Sequence, residues 1–259
     1  MTTPDLTRLP ASPDLSRPTP LFESPSHAVY WLGIEQETPF RCNVYLVVDG
    51  NQAILIDPGD RRNFAAVKER VAQVLPPEKV TGIVVCHQDP DCAASIVDWL
   101  QLRPDIAVYA SMRANVLLPY FGTPQYRFVD VALHPRLKLP SGGEIRFIEA
   151  PFLHFAGAIT TYDAASKFLF SGDIWAAVGM DWTLVVDDFP AHAVKMDMFH
   201  IDYMASNAAA RGFVNKLDGV AIDAILPQHG SIIPPHLVED ALDYLRELEC
   251  GTDVLYPEL

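Results

Sequence analysis

One histidine and two aspartates stand at alternate positions in His87-Gln88-Asp89-Pro90-Asp91-Cys92, directly after the apolar run Gly-Ile-Val-Val-Cys at 82–86. In extended backbone, residues two apart share a face, so the imidazole and both carboxylates would converge. Imidazole nitrogen with carboxylate oxygen makes a hard-to-borderline donor set that suits a divalent metal ion. The same residues also fit a polar turn that caps a following helix, with Asp91 as the N-cap. Three later segments repeat the placement. His154 ends Pro-Phe-Leu-His after the run Glu-Ile-Arg-Phe-Ile-Glu-Ala, Asp173 ends Phe-Leu-Phe-Ser-Gly-Asp, and His229 follows Leu-Pro-Gln. Each alone has an ordinary explanation in backbone hydrogen bonding or turn chemistry. Four strand ends carrying His-x-Asp-x-Asp, His, Asp and His in chain order are hard to reach by accident, because rigid strands deliver functional side chains to the loops beyond their carboxyl ends.

The elements that must position these groups are readable from pattern. Short β-branched and aromatic runs at 27–34, 43–48 and 52–57 predict strands, and Asp57-Pro58-Gly59 breaks them with turn chemistry. Residues 63–75 place Phe64, Val67, Val71, Val74 and Leu75 on one helical face, and Pro76-Pro77 ends that helix. A buried strand at 82–86 and a helix over 92–102 follow, with Ile96, Trp99 and Leu100 inward. Further strands are expected near 106–110, 127–132, 145–149, 159–163, 168–171 and 221–227. Helices are expected over most of 192–217 and over 235–249. Strands interspersed with helices predict an α/β chain of mixed sheets covered by helices. The first twenty residues hold five prolines and little apolar periodicity, so residues 1–22 read as a proline-rich arm and 23–259 as one domain.

With those motifs in place, the chain resembles the metallo-β-lactamase superfamily, and within it the di-iron branch of flavodiiron proteins and stand-alone oxygen-binding di-iron proteins. The first motif of that branch is His-x-Glu-x-Asp-His. A histidine before a Thr-Tyr-Asp strand is matched by His154 and Thr161-Tyr162-Asp163, an aspartate in a Phe-Ser-x-Asp setting by Asp173, and Pro-Gln-His-Gly by Pro227 to Gly230. The stretch from Phe199 to Asn207 resembles the stand-alone group. The resemblance covers roughly residues 27 to 249 and implies a four-layer αββα sandwich with two mixed β-sheets. It implies two iron ions, with zinc as the alternative. His87, Asp89 and His154 would hold the first metal, Asp91 and His229 the second, and Asp173 would bridge them. Tyr203 and His200 would line the pocket as proton donors. Two departures stand out. Asp89 replaces the usual Glu, and Cys92 stands where many members carry a histidine, either as a thiolate ligand or as a thiol at a helix start. Asp57 is a candidate for orienting a ligand histidine. His27, His134, His192 and His236 have no supporting context and are assigned to surface or core.

Composition narrows the reaction. The chain has 259 residues, 49% of them hydrophobic, and a net charge of −14, with mean hydropathy +0.12. A surface this acidic repels phosphate backbones and anionic lipid, so neither nucleic acid nor membrane is an expected partner. Apolar runs fall short of the ~20 residues of a spanning helix, and the N-terminus lacks a secretory signal. Four cysteines in a chain this long do not make a disulfide framework, so a reducing cytoplasm is expected. Flavodiiron relatives fuse the metal domain to a flavin module; the sequence shows no such phosphate-cradling loop after the closing helix, so a flavin would arrive on another protein. The oxygen-rich donor set favours a di-iron protein that binds or reduces dioxygen, or another small diatomic such as nitric oxide, as a sensor or as an oxidoreductase supplied by an external electron donor. A zinc-dependent hydrolase of an ester or phosphodiester is the alternative, although the motif loops hold no Lys or Arg for an anionic substrate; Arg113, Lys167 or Lys195 would have to reach in. A non-catalytic signalling protein whose partner reads the metal state is the third reading. The apolar content also predicts a homodimer.

Overall fold

The computed structural model describes residues 6–33 and 38–258. Its apolar runs form two mixed sheets. In the first, β1 (Thr19–Glu23), β2 (His27–Trp31), β3 (Tyr45–Asp49), β4 (Gln52–Ile56), β5 (Gly82–Val84), β6 (Ala107–Ala110) and β7 (Arg127–Asp130) lie side by side in chain order. Neighbours from β1 to β4 are antiparallel and those from β4 to β7 parallel. The second sheet holds β8 (Arg136–Lys138), β9 (Glu144–Glu149), β10 (Ile159–Asp163), β11 (Phe168–Gly172) and β12 (Ala224–Pro227) in the order β12-β11-β10-β9-β8. Only β11 and β12 are parallel in it.

Parallel neighbours need crossovers, and helices supply them. Helix α1 (Phe64–Val74) links β4 to β5, α2 (Pro90–Ala93) and α3 (Ile96–Leu102) link β5 to β6, and α4 (Met112–Asn115) links β6 to β7. Helices α5 (Phe189–Tyr203) and α6 (Asn207–Lys216) carry the chain from β11 to β12, α7 (Val238–Glu247) packs after it, and the short α8 (Thr252–Leu255) comes last. The alternation of strand side chains decides the layers. Phe168 and Phe170 of β11 face the core shared with the first sheet, while Leu169 between them joins Met196, Phe199, Phe213 and Leu245 under α5, α6 and α7. On the other side, Val67 and Val71 of α1 and Ile96, Trp99 and Leu100 of α3 belong to the first core. The result is helix–sheet–sheet–helix, the four-layer sandwich expected.

Several expectations shift, among them the helix over 92–102, which is α2 and α3 with a break at 94–95, and the strand over 221–227, which begins at Ala224. The helical stretch foreseen over 192–217 is two helices, broken at 204–206, where the Ser206 hydroxyl accepts the Ala209 amide and starts α6 anew. The strand foreseen over 82–86 stops at Val84, and Ile34, the last residue foreseen in the strand over 27–34, lies outside the described residues. The boundary drawn at residue 22 falls inside β1. Within the first twenty-two residues Leu6 is buried, and the Ala11 and Ser16 carbonyls accept from the Leu184 amide and the Gln73 side chain.

His27, which has no sequence context, turns out to join the two sheets at the edge away from the strand ends described below. Its ring is 3% exposed, with Nδ1 2.8 Å from Asp49 on β3 and Nε2 2.7 Å from Asp163 on β10. Burial alone would favour the neutral ring, but the hydrogen bonds and charges of Asp163 and Asp49 outweigh it and raise the imidazole pKa. A raised folded-state pKa stabilises the fold fully below the unfolded value of about 6.5 and loses that contribution as pH rises through the folded value. Urea unfolding of the wild type should therefore weaken on going from neutral to alkaline pH. His27→Gln should flatten that slope, and breaking the buried pair should cost about 3–5 kcal/mol at neutral pH. A variant with unchanged midpoint and slope would refute the clasp.

Candidate metal centre

The carboxyl ends of β5, β9, β11 and β12 meet at one edge of the sandwich, and the six residues singled out from sequence meet there. Asp173 follows β11 and lies at the centre. Its Oδ2 is 3.3 Å from His87 Nε2 and 3.0 Å from His154 Nε2, whereas its Oδ1 is 3.5 Å from His229 Nε2. Asp89 Oδ2 lies 3.5 Å from both His87 and His154, and Asp91 Oδ2 lies 3.2 Å from His229. Two clusters therefore share one carboxylate: His87, Asp89 and His154 on one side, Asp91 and His229 on the other.

The donors fit metal ions. His87 Nε2, His229 Nε2 and Asp173 Oδ1 are buried and make no hydrogen bond, a costly state for groups cut off from water unless something charged sits between them. Tetrahedral ligands at about 2.0–2.3 Å from a metal lie about 3.3–3.8 Å from one another, and the spacings above fall close to that range. The far ring nitrogens of His229 and His87 are also engaged, as ligand histidines require. His229 Nδ1 is 3.1 Å from the Arg41 carbonyl, which fixes the proton there and leaves Nε2 with its lone pair facing inward. His87 Nδ1 is 2.9 Å from Cys86 Sγ. Gly172 makes room for that sulfur: it adopts φ +60°, and a Cβ on it would lie 3.0 Å from Cys86 Sγ.

Electrostatics follow from the same contacts. The His154 and His87 imidazoles facing Asp89 hold its carboxyl well below the usual range. Burial would raise Asp173, but the His87 charge and the facing His154 and His229 rings drive it down. Burial works against charging His154, yet Asp173 and Asp89 lift it to about 9. Among the described residues, every ion pair of Asp89, Asp91 and Asp173 is with a histidine. Lys167 pairs with Asp223 and Lys195 with Asp181, so neither serves the centre.

The loop chemistry differs from the turn reading. Helix α2 begins at Pro90 with Asp89, not Asp91, at its N-cap position, and no side chain caps it. Asp91 is left to face His229. Cys92 Sγ donates to the His87 and Asp89 carbonyls, 3.2 Å each, and lies on the Nδ1 side of the His87 ring, 3.8 Å away. It is thus behind the histidine and away from the cluster. Asp57 accepts the Cys86 amide at 2.8 Å, so it fixes the backbone before His87 rather than an imidazole, and burial raises its pKa to about 6.

His200 is corrected. It is fully buried, its Nδ1 donates to the Met196 carbonyl at 2.8 Å, and its Nε2 accepts the Trp175 amide at 2.9 Å. Burial lowers its pKa to about 4. With both nitrogens spent, it braces the segment after Asp173 and has no proton to give the pocket. Tyr203 is 58% exposed at the rim, stacked on Phe199 at 4.6 Å and edge-on to His154 at 5.8 Å.

Sequence reasoning missed the segment over 38–43. Phe40 stacks on the His229 ring at 3.5 Å. Cys42 pairs with His229 in an isolated antiparallel bridge, and its sulfur lies within 4.8 Å of the Asp91 and His229 donor atoms. Neither residue follows a strand or belongs to a spaced motif, so no local signal marks them.

Residues 40–230 match the model of a family described as ODP family beta lactamase. A solved structure of a peroxy diiron species of the chemotaxis sensor ODP is similar to this chain at 33% identity and TM-score 0.82, covering 93% of this chain and all of that one. The apo state of the chemotaxis sensor ODP from T. denticola is similar at 32% identity and TM-score 0.79, over 93% of this chain and 99% of that one. Diflavin flavoprotein A 1 of Synechocystis is 28% identical over 143 residues, which is 55% of this chain and 24% of that protein. The chain spans between 24% and 35% of the length of the diflavin flavoproteins it matches. Among the described residues no helix is long and apolar enough to cross a membrane.

Proposed function

The chain belongs to the ODP family of β-lactamase-like proteins, and from that premise we propose that it is a di-iron protein whose metal pair binds dioxygen. The observation that carries this reading is the central carboxylate, with Asp173 Oδ2 turned to His87 and His154 and Oδ1 turned to His229. A carboxylate in that position can hold two cations ~3.5–4 Å apart. His87, Asp89 and His154 hold the first ion and Asp91 and His229 the second. Three histidines and three carboxylates make a donor set suited to iron, and iron so held supplies redox chemistry toward dioxygen.

The chain's own side chains shape what reaches the pair. The side chains of Asp89, Asp91 and His154 are 37%, 33% and 18% exposed, while those of His87, Asp173 and His229 are at most 4% exposed. Asp89, Asp91 and His154 thus form the open side of the cluster, and Tyr203, 58% exposed, stands edge-on to His154 beside it. The carboxylates of Asp89, Asp91 and Asp173 disfavour an anionic phosphodiester and do not oppose a small neutral diatomic. Sensing is the preferred role, supported by the likeness to a chemotaxis sensor along that protein's whole length. An external electron donor or signalling partner, and a second copy of the chain, are part of this proposal; Val194, Met198 and Ile201 form an exposed apolar stripe on α5 suited to such contacts. Protein purified without air should contain two irons per chain and gain colour on exposure to air. Stoichiometric zinc from iron-replete cells, together with metal-dependent phosphodiester cleavage, would overturn this reading in favour of the hydrolase.

A further inference from the structure

The two metal positions are unequally furnished. The first has His87, Asp89, His154 and the shared Asp173. The second has Asp91, His229 and the shared Asp173, one donor fewer, because Cys92 is turned behind His87. The fourth corner is nevertheless filled. Cys42 Sγ is 3.8 Å from Asp91 Oδ2, next to the 3.2 Å separating Asp91 from His229 and the 3.5 Å separating His229 from Asp173. A sulfur bond of about 2.3 Å is longer than a nitrogen or oxygen bond, so the edge that includes sulfur should be the longest, as it is. His229 Nε2 is fully buried and makes no hydrogen bond on this side.

The backbone holds Cys42 there. It lies directly opposite His229 in the antiparallel bridge, an arrangement that puts two side chains on one face. Asn43 locks the pairing: its amide donates to the Gln228 carbonyl at 2.6 Å, and its side chain donates to the Pro227 and Gly230 carbonyls at 2.9 and 3.0 Å and accepts from Trp31 Nε1 at 2.8 Å. Tyr45 adds a hydroxyl bond to the Pro227 carbonyl at 2.8 Å. Cys42 is 6% exposed in this braced segment.

Resting on the two-metal reading, we propose that Cys42 is the fourth donor of the second metal position, a thiolate that takes over from the histidine whose place Cys92 occupies. On binding, the S–H bond breaks, a sulfur–metal bond forms, and the proton leaves to solvent, with no change in oxidation state. The softer sulfur then makes the second position chemically distinct from the first.

Cobalt(II) chloride, titrated anaerobically into the metal-free full chain, reads this directly. The wild type should take up two equivalents and develop a near-ultraviolet sulfur-to-cobalt charge-transfer band with one of them. Cys42→Ser should lose that band while keeping the visible ligand-field bands of the first equivalent. Cys250→Ala, altering a buried thiol in the core under α5, α6 and α7, should keep both. Two equivalents bound by the wild type without a sulfur band would overturn the inference and leave the two-metal reading intact. A band that persists in Cys42→Ser would assign the sulfur to Cys86 or Cys92 and overturn it likewise. Failure of the wild type to bind cobalt at all would bring down the two-metal reading and this inference together.

Discussion

Asp173→Ala is expected to take bound metal from two ions per chain to none. Each position is built from separate residues except at this carboxylate, whose two oxygens face the two clusters at 3.0–3.3 Å and 3.5 Å. Removing it deletes a donor and a share of negative charge from both positions at once. The remaining histidines would then compete with protons for the cation, since neutral imidazole is the form that binds. Asp89→Ala and Asp91→Ala touch one cluster each and should each leave one ion. Elemental analysis of the three variants, after loading with the same iron, separates a bridge from two independent sites. Full occupancy in Asp173→Ala would refute the bridging role. Asp173 contributes charge and polar contacts to the cluster rather than apolar packing, and circular dichroism of the metal-free variant checks that the fold survives.

The reach of sequence reasoning follows from how each residue is held. His87, His154, Asp173 and His229 follow apolar runs that end at the same sheet edge, so a short apolar run with a polar residue soon after it is enough to collect them. Asp89 and Asp91 came with His87 through local spacing. Cys42 and Phe40 are different: a bridge between an irregular segment and the loop after β12 places them, and such a contact leaves no trace in local periodicity. His27 was unreadable for the same reason, since its partners Asp49 and Asp163 are distant in the chain and neighbours only after the sheets have stacked. His200 was misread because its resemblance segment borders the pocket, while the side chain itself points into hydrogen bonds with Met196 and Trp175. The short edge strand β8, Arg136–Lys138, carries too few apolar residues to announce itself. Secondary structure is legible where apolar side chains are buried in runs or on one face; long-range polar pairings are not.

The reduced, iron-loaded chain is expected to consume one dioxygen per chain and then stop. If His87, Asp89, His154, Asp91, His229 and Asp173 hold two ferrous ions, the pair would have two electrons to give, enough for one dioxygen to reach the level of peroxide and no further. An oxygen electrode should therefore show a stoichiometric burst and a flat trace until a reductant is added, and stopped-flow absorbance should show colour appearing in step with the burst. Sustained consumption without a donor, or no spectral change at all, would refute the scheme. Persistence of the oxidised state decides between sensing and turnover, and the donors bear on it. Asp89, Asp91 and Asp173 place three carboxylates around two cations, and like any set of anionic donors in a partly buried site they favour the more highly charged ion. Neutral His87, His154 and His229 offset little of that preference. These donors should therefore favour the oxidised pair, so that until a reductant arrives the state of the centre, rather than a released product, is what a partner reads.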